Sequence, residues 1–98
     1  MKLVLTDEAR ADLVRIADWI ARDNPRRAVT FVDELEAHCG RIAKAPHAYP
    51  LVPDHEESGL RRTVHGNYLI FYRAEPQQVV VIHILHGARD YEAILFPG

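Results

Sequence analysis

The sequence is short of several things, and each shortage closes off a class of function. It has one cysteine, Cys39, in 98 residues, so no internal disulfide can form. That cysteine falls on the apolar side of an expected helix, where a thiol packs as a small hydrophobe rather than reacting. It has two lysines, Lys2 and Lys44, and a net charge of −2 at pH 7. A general nucleic-acid binder shows a basic surplus, so direct DNA binding by this chain alone is not expected. No apolar run approaches the roughly 20 residues of a membrane span, and no signal peptide is visible, so a cytoplasmic protein without a membrane role is expected. There is no Gly-rich phosphate loop, no Gly-x-Ser-x-Gly elbow and no Cys/His spacing that reads as a zinc site. His83 and His86 are three apart on an expected strand, point to opposite faces, and do not chelate one ion. Neither a cofactor nor a metal is expected.

What is present describes one small globular unit. Hydrophobic residues make up 48% and charged residues 27%, which is not a disordered composition. The length suits a single domain over residues 1–98. The chain is organised around Gly66 to Asp90, where two apolar runs, Tyr68–Ala74 and Gln78–His86, flank a Glu75-Pro76-Gln77 turn. This reads as a central β-hairpin.

Before it, Lys2 to Leu5 reads as a strand. Thr6 caps a helix whose first turn holds Asp7 and Glu8. Ala9, Leu13, Ile16, Ala17 and Ile20 form its apolar stripe, with Trp19 on the flank and Asp12, Arg15 and Arg22 assigned to the opposite face. Asn24 then caps a second helix, with Pro25 in its first turn, running to about Ala45. Pro46, Pro50 and Pro53 make the next stretch a loop. Leu60 to Val64 reads as a further strand, and Tyr91 to Phe96 as one helical turn. The expected fold is α+β in the order β-α-α-β-β-β, with a helical hairpin on one face of a mostly antiparallel sheet. The position of the first strand is left open.

Alternation along the hairpin predicts two faces. Val80, Ile82 and Ile84, with Leu69 and Phe71, are expected to meet the helices. Tyr68, Ile70, Tyr72, Val79, Val81, His83 and Leu85 are then the far face. That face is covered either by the 46–58 loop and the C-terminal tail or by a binding partner. Arg61, Arg62, Arg73 and Arg89 lie on or beside the strands, and residues 59–98 carry four Arg against three acids. With a histidine and Tyr91 they could serve phosphodiester cleavage, which needs an acid, a base and cations for developing charge. The bland alternative is solubilising edge charge. Arg89 and Asp90 read as a local ion pair.

Gly59-Leu60-Arg61-Arg62, the Gly66-to-Arg73 run ending Leu-Ile-Phe-Tyr-Arg, and Leu85-His86-Gly87-Ala88-Arg89-Asp90 resemble the ParE branch of the RelE/ParE toxin superfamily. So do the opening from Leu5 to Leu13, Asp23-Asn24-Pro25 between the helices, and the segment from Ala45 to Val52. The resemblance implies the toxin of a type II toxin–antitoxin pair, held as a hetero-oligomer by a ParD-like antitoxin. It implies a binding inhibitor of DNA gyrase rather than an enzyme. The alternative is a RelE-like, ribosome-dependent mRNA endonuclease. The lysine-poor sheet, and Asn67-Tyr68-Leu69 where some nucleases place an arginine, favour ParE. On this reading Arg61, Arg62, Arg73 and Arg89 contact the target, and the far face meets the antitoxin.

Overall fold

A computed structural model describes residues Met1–Gly98. The elements are β1 (Lys2–Leu5), α1 (Asp7–Ala21), α2 (Pro25–Lys44), β2 (Leu60–His65), β3 (Tyr68–Ala74), β4 (Gln78–His86) and α3 (Tyr91–Leu95), with a 3₁₀ turn at Glu56–Ser58 before β2. No helix is long and apolar enough to cross a membrane. The architecture is the expected α+β one: a helical hairpin, α1 against α2, packs on a four-stranded, mostly antiparallel sheet. The strand order is β1-β4-β3-β2. β1 therefore lies beside the last strand and runs parallel to it, from Lys2 opposite Gln78 to Leu5 opposite Val81.

The start signals act as read. Thr6 accepts the Ala9 amide on its side-chain oxygen at 3.0 Å, and Asn24 accepts that of Arg27 at 3.1 Å, with Pro25 at the first helical position. Each satisfies one of the amides a helix start leaves unpaired. Thr6 does more than cap. Its amide donates to Val81 O at 3.1 Å and its hydroxyl to Ile82 O at 2.8 Å, so the chain stays stitched to β4 as it turns from β1 into α1. β2 and β3 join through a two-residue loop in which Gly66 takes a φ of +59°, the conformation tight hairpins favour glycine for.

Two apolar clusters sandwich the sheet. On the helical side, Ala9, Ile16, Phe31, Leu35, Cys39 and Ile42 meet Ile70, Tyr72, Val79, Val81 and Ile84, with Tyr68 packed against them. On the other side, Leu60, Phe71 and Leu85 lie under Val52 and the C-terminal Tyr91, Ile94, Leu95 and Phe96. Burial of each large side chain in these layers contributes roughly 1.5–3 kcal/mol.

The expected faces are thus largely exchanged. Tyr68, Ile70, Tyr72, Val79 and Val81 face the helices, and Ile70, Tyr72, Val79 and Val81 are 0% exposed. Leu69, Phe71 and Ile82 face away from them. Leu85 does lie on the far side, buried under the chain's own end. Both faces are apolar, so alternation alone did not distinguish them. A β-bulge also breaks the alternation: Phe71 pairs with His83 and Tyr72 with Val81, leaving Ile82 without a cross-strand partner. Tyr72 can be core because its hydroxyl donates to Pro46 O at 2.7 Å. The far face is covered by the protein itself, through α3 and the loop carrying Val52.

Candidate functional site

The four arginines singled out from the sequence do not converge. Arg61 points to the helical side, opposite Tyr72, and its Nη1 donates to Tyr49 O at 2.6 Å. Arg62 is on the other face, its guanidinium 5.6 Å from the Tyr91 ring and its Nη1 donating to the Tyr91 hydroxyl at 3.0 Å. Arg73, opposite Leu60 and Val80, shares that outer face and is exposed, as is Arg89 beyond the end of β4. No side-chain hydrogen bond or ion pair holds Arg73 or Arg89, whereas Arg61 and Arg62 are tied to the segments that cover the sheet. Those segments are ordered by short contacts. Residues Pro50 to Val52 run along the outer edge of β2, with Arg62 N donating to Pro50 O and Val52 N to Leu60 O. His55 stacks on Phe96 at 3.8 Å and meets Glu92 at 2.9 Å, pinning α3.

Arg89 and Asp90 do not pair. Asp90 instead caps α3 by accepting the Ala93 amide at 3.3 Å, as short acidic side chains do at helix starts. This frees Arg89, which lines a groove of about 470 Å³ between α1 and the sheet end nearest the β2–β3 loop. Asp12, Arg15, Ile16 and Trp19 form its α1 wall, and Tyr68, Ile84 and His86 its sheet wall. Trp19 is 63% exposed, a high value for so large an apolar side chain. The Arg22 guanidinium sits 5.1 Å from its ring. Sequence reading left this site unassigned, although a tryptophan flanking an apolar stripe between Arg15 and Arg22 was its trace.

Asp12 is the second departure. It does not lie on the solvent face of α1 but is 3% exposed. Its Oδ2 is 2.6 Å from His83 Nδ1 and accepts the Ile84 amide at 2.8 Å, while Oδ1 accepts from Arg15 at 3.3 Å. His83 is thereby drawn to α1 and is not part of an outer surface.

A third arrangement joins residues distant in sequence. His38 of α2 and His65 of β2 meet Nδ1 to Nδ1 at 2.9 Å, with ring centroids 5.1 Å apart. One nitrogen must carry the proton that the other accepts. Burial, then His65 and then Arg41, hold the His38 pKa below its ordinary value. Burial also raises the Tyr72 phenol, against the opposing effect of Arg61, and pushes the Cys39 thiol up to about 11. No group of three or more His, Cys, Asp or Glu side chains is gathered as metal ligands.

The fold matches a solved structure described as the chromosomal ParDE toxin–antitoxin system of P. aeruginosa, with a TM-score of 0.76, 19% identity, and 88% of this chain and 95% of that one covered. It also matches the toxin–antitoxin complex RelBE2 of Mycobacterium tuberculosis, with a TM-score of 0.61, 22% identity, and 87% and 95% covered. A search of curated proteins gives no match. The architecture is therefore the one shared by ParE- and RelE-type structures. Residues 3–91 match the model for the ParE toxin of the type II toxin–antitoxin system parDE, and the chain belongs to that family.

Proposed function

We propose that this ParE-type toxin inhibits DNA gyrase by binding it, and that a ParD-like antitoxin neutralises it in a hetero-oligomeric complex. The observation that carries the toxin part of this reading is the match of residues 3–91 to the ParE toxin model; gyrase as the target is what the resemblance to that branch implies. The two exposed, unpaired arginines support it. Arg73 and Arg89 are free to meet an acidic protein surface at no cost of breaking an internal contact. Arg61 and Arg62 serve as supports for the covering segments, with Arg62 partly available at the rim. An antitoxin partner is supported by the solved relatives, which are described as toxin–antitoxin assemblies. The apolar surface it would cover lies on the helical hairpin, where Val14, Trp19 and Val29 are all more than 60% exposed.

One observation favours the ribonuclease reading. Arg62, Arg73 and Tyr91 share the outer side of the sheet, a cation-and-phenol set suited to a phosphodiester. A second proton-transfer group is harder to supply there. His83 is held by Asp12, and His55, the histidine on this side, is paired with Glu92 and stacked on Phe96. Binding without chemistry fits this arrangement better.

Induction of the chain in growing bacteria separates the two readings. Pulse labelling is expected to show DNA synthesis failing before protein synthesis. Protein synthesis failing first, with cleaved mRNA, would replace the gyrase reading with the nuclease one.

A further inference from the structure

The groove beneath Trp19 combines an apolar floor with an unusual concentration of positive charge for a chain of net charge −2. Ile16, Ile84 and the Tyr68 ring supply the floor, and the exposed Trp19 indole overhangs it. Arg15 and Arg89 line it, and Arg22 stands over the indole. The only carboxylate in its wall, Asp12, is already occupied by His83, the Ile84 amide and Arg15. His86 Nδ1 accepts the Ala88 amide at 3.0 Å, so the neutral ring carries its proton on Nε2, a donor not used by that contact. Apart from the Tyr68 hydroxyl, which can donate or accept, every side-chain polar group not already committed in this groove is a donor or a cation.

We infer that this groove is the docking site for an acidic, apolar-anchored peptide segment: one large aliphatic or aromatic side chain seated against Trp19, with neighbouring carboxylates on Arg15, Arg22 and Arg89. The identity of that segment as part of the neutralising antitoxin rests on the toxin reading given above, while the groove's chemistry does not. A volume of about 470 Å³ accommodates one or two such side chains. A peptide fits better than single-stranded nucleic acid. The groove offers one large exposed ring, not a succession of stacking platforms. Neutralisation then has a simple physical basis. The segment removes Arg89 from reach of the target, and it covers an aromatic side chain that water solvates poorly.

The test uses a displayed library of short random peptides selected on the full chain and counted again on Trp19→Ala and Arg89→Glu variants. Both substitutions are at exposed side chains, so thermal melts should stay close to wild type. The expected winners carry Asp or Glu within a few residues of a Leu, Phe or Trp. Their affinity should fall about thirtyfold in Trp19→Ala and about tenfold in Arg89→Glu. Trp19 is the only tryptophan in the chain, so its emission should shift to the blue as a winning peptide binds. The inference is overturned by failure to enrich any peptide, by basic winners, by winners that bind both variants unchanged, or by displacement of the peptides by oligothymidylate at lower concentration. Toxicity of the wild-type chain is scored separately. Acidic winners on a harmless chain would uphold the groove and sink the toxin reading, and the converse result would do the reverse.

Discussion

Asp12 Oδ2 lies 2.6 Å from His83 Nδ1 and 2.8 Å from the Ile84 amide nitrogen. One buried carboxylate oxygen thus continues, from a helix, the pairing of β4 that β1 abandons at Leu5. Thr6 makes the first two of these contacts and Asp12 the next, so the start of α1 acts as a side-chain extension of the sheet edge. A strand edge left with unpaired amides under a helix would cost about 1–3 kcal/mol per group.

Replacement of Asp12 should therefore be felt far more than a surface carboxylate would be. Asp12→Ala strands the Ile84 amide and the His83 ring and should destabilise the fold by roughly 3–5 kcal/mol. Asp12→Asn retains an oxygen acceptor and should cost about half as much. Urea unfolding measures both. A loss under about 0.5 kcal/mol for Asp12→Ala, the range of ordinary surface substitutions, would contradict the assignment.

The His38–His65 contact makes stability depend on pH. The folded pKa of His38 is lowered, chiefly by burial, so the unfolded chain binds a proton there more readily than the folded one. Stability from this residue is complete above the unfolded value of about 6.5 and is lost as pH falls toward the lowered folded value. Melting temperature should rise between pH 5 and 7, and His38→Phe should flatten that rise relative to wild type. Equal slopes for the two proteins would remove His38 from the account. Glu34 and Arg41, the charged neighbours on α2, are retained in both proteins, so the difference isolates the histidine pair.

Cys39 should be inert in the folded chain. Its thiol is 2% exposed and its pKa is pushed up to about 11, so about 0.1% is thiolate at pH 8. Labelling by iodoacetamide should be slow in native buffer and should accelerate in parallel with unfolding by urea. Complete labelling of the native protein at the rate of a free thiol would show that the helix–sheet interface opens readily.

Element order, caps and breaks were readable because each rests on local chemistry. Thr6, Asn24 and Pro25 announce helix starts by what their side chains can or cannot do. The prolines at positions 46, 50 and 53 forbid regular helix. The sheet faces were not readable in the same way. Alternation separates faces only when one is polar, and here α3 and Val52 cover the second face from residues distant in sequence. The bulge at Ile82 removed what phase remained.

Asp12 sits three residues after Ala9 and four before Ile16, squarely on the buried stripe. Its charge alone suggested solvent, and the groups that accommodate it, His83 and Ile84, lie more than 70 residues away. A shorter separation, 27 residues, hid the His38–His65 pair. Distance along the chain also concealed the groove that brings Trp19 beside Arg89, while the arginines expected to act together are divided between two faces.

The most direct test of gyrase inhibition is a DNA supercoiling assay with purified gyrase, relaxed plasmid and increasing amounts of this protein. Supercoiling should fall in a dose-dependent way. The Arg73→Glu/Arg89→Glu double variant, folded by its melt, should need about tenfold more protein for the same effect. Undiminished supercoiling at a large molar excess of the wild-type chain would contradict the account.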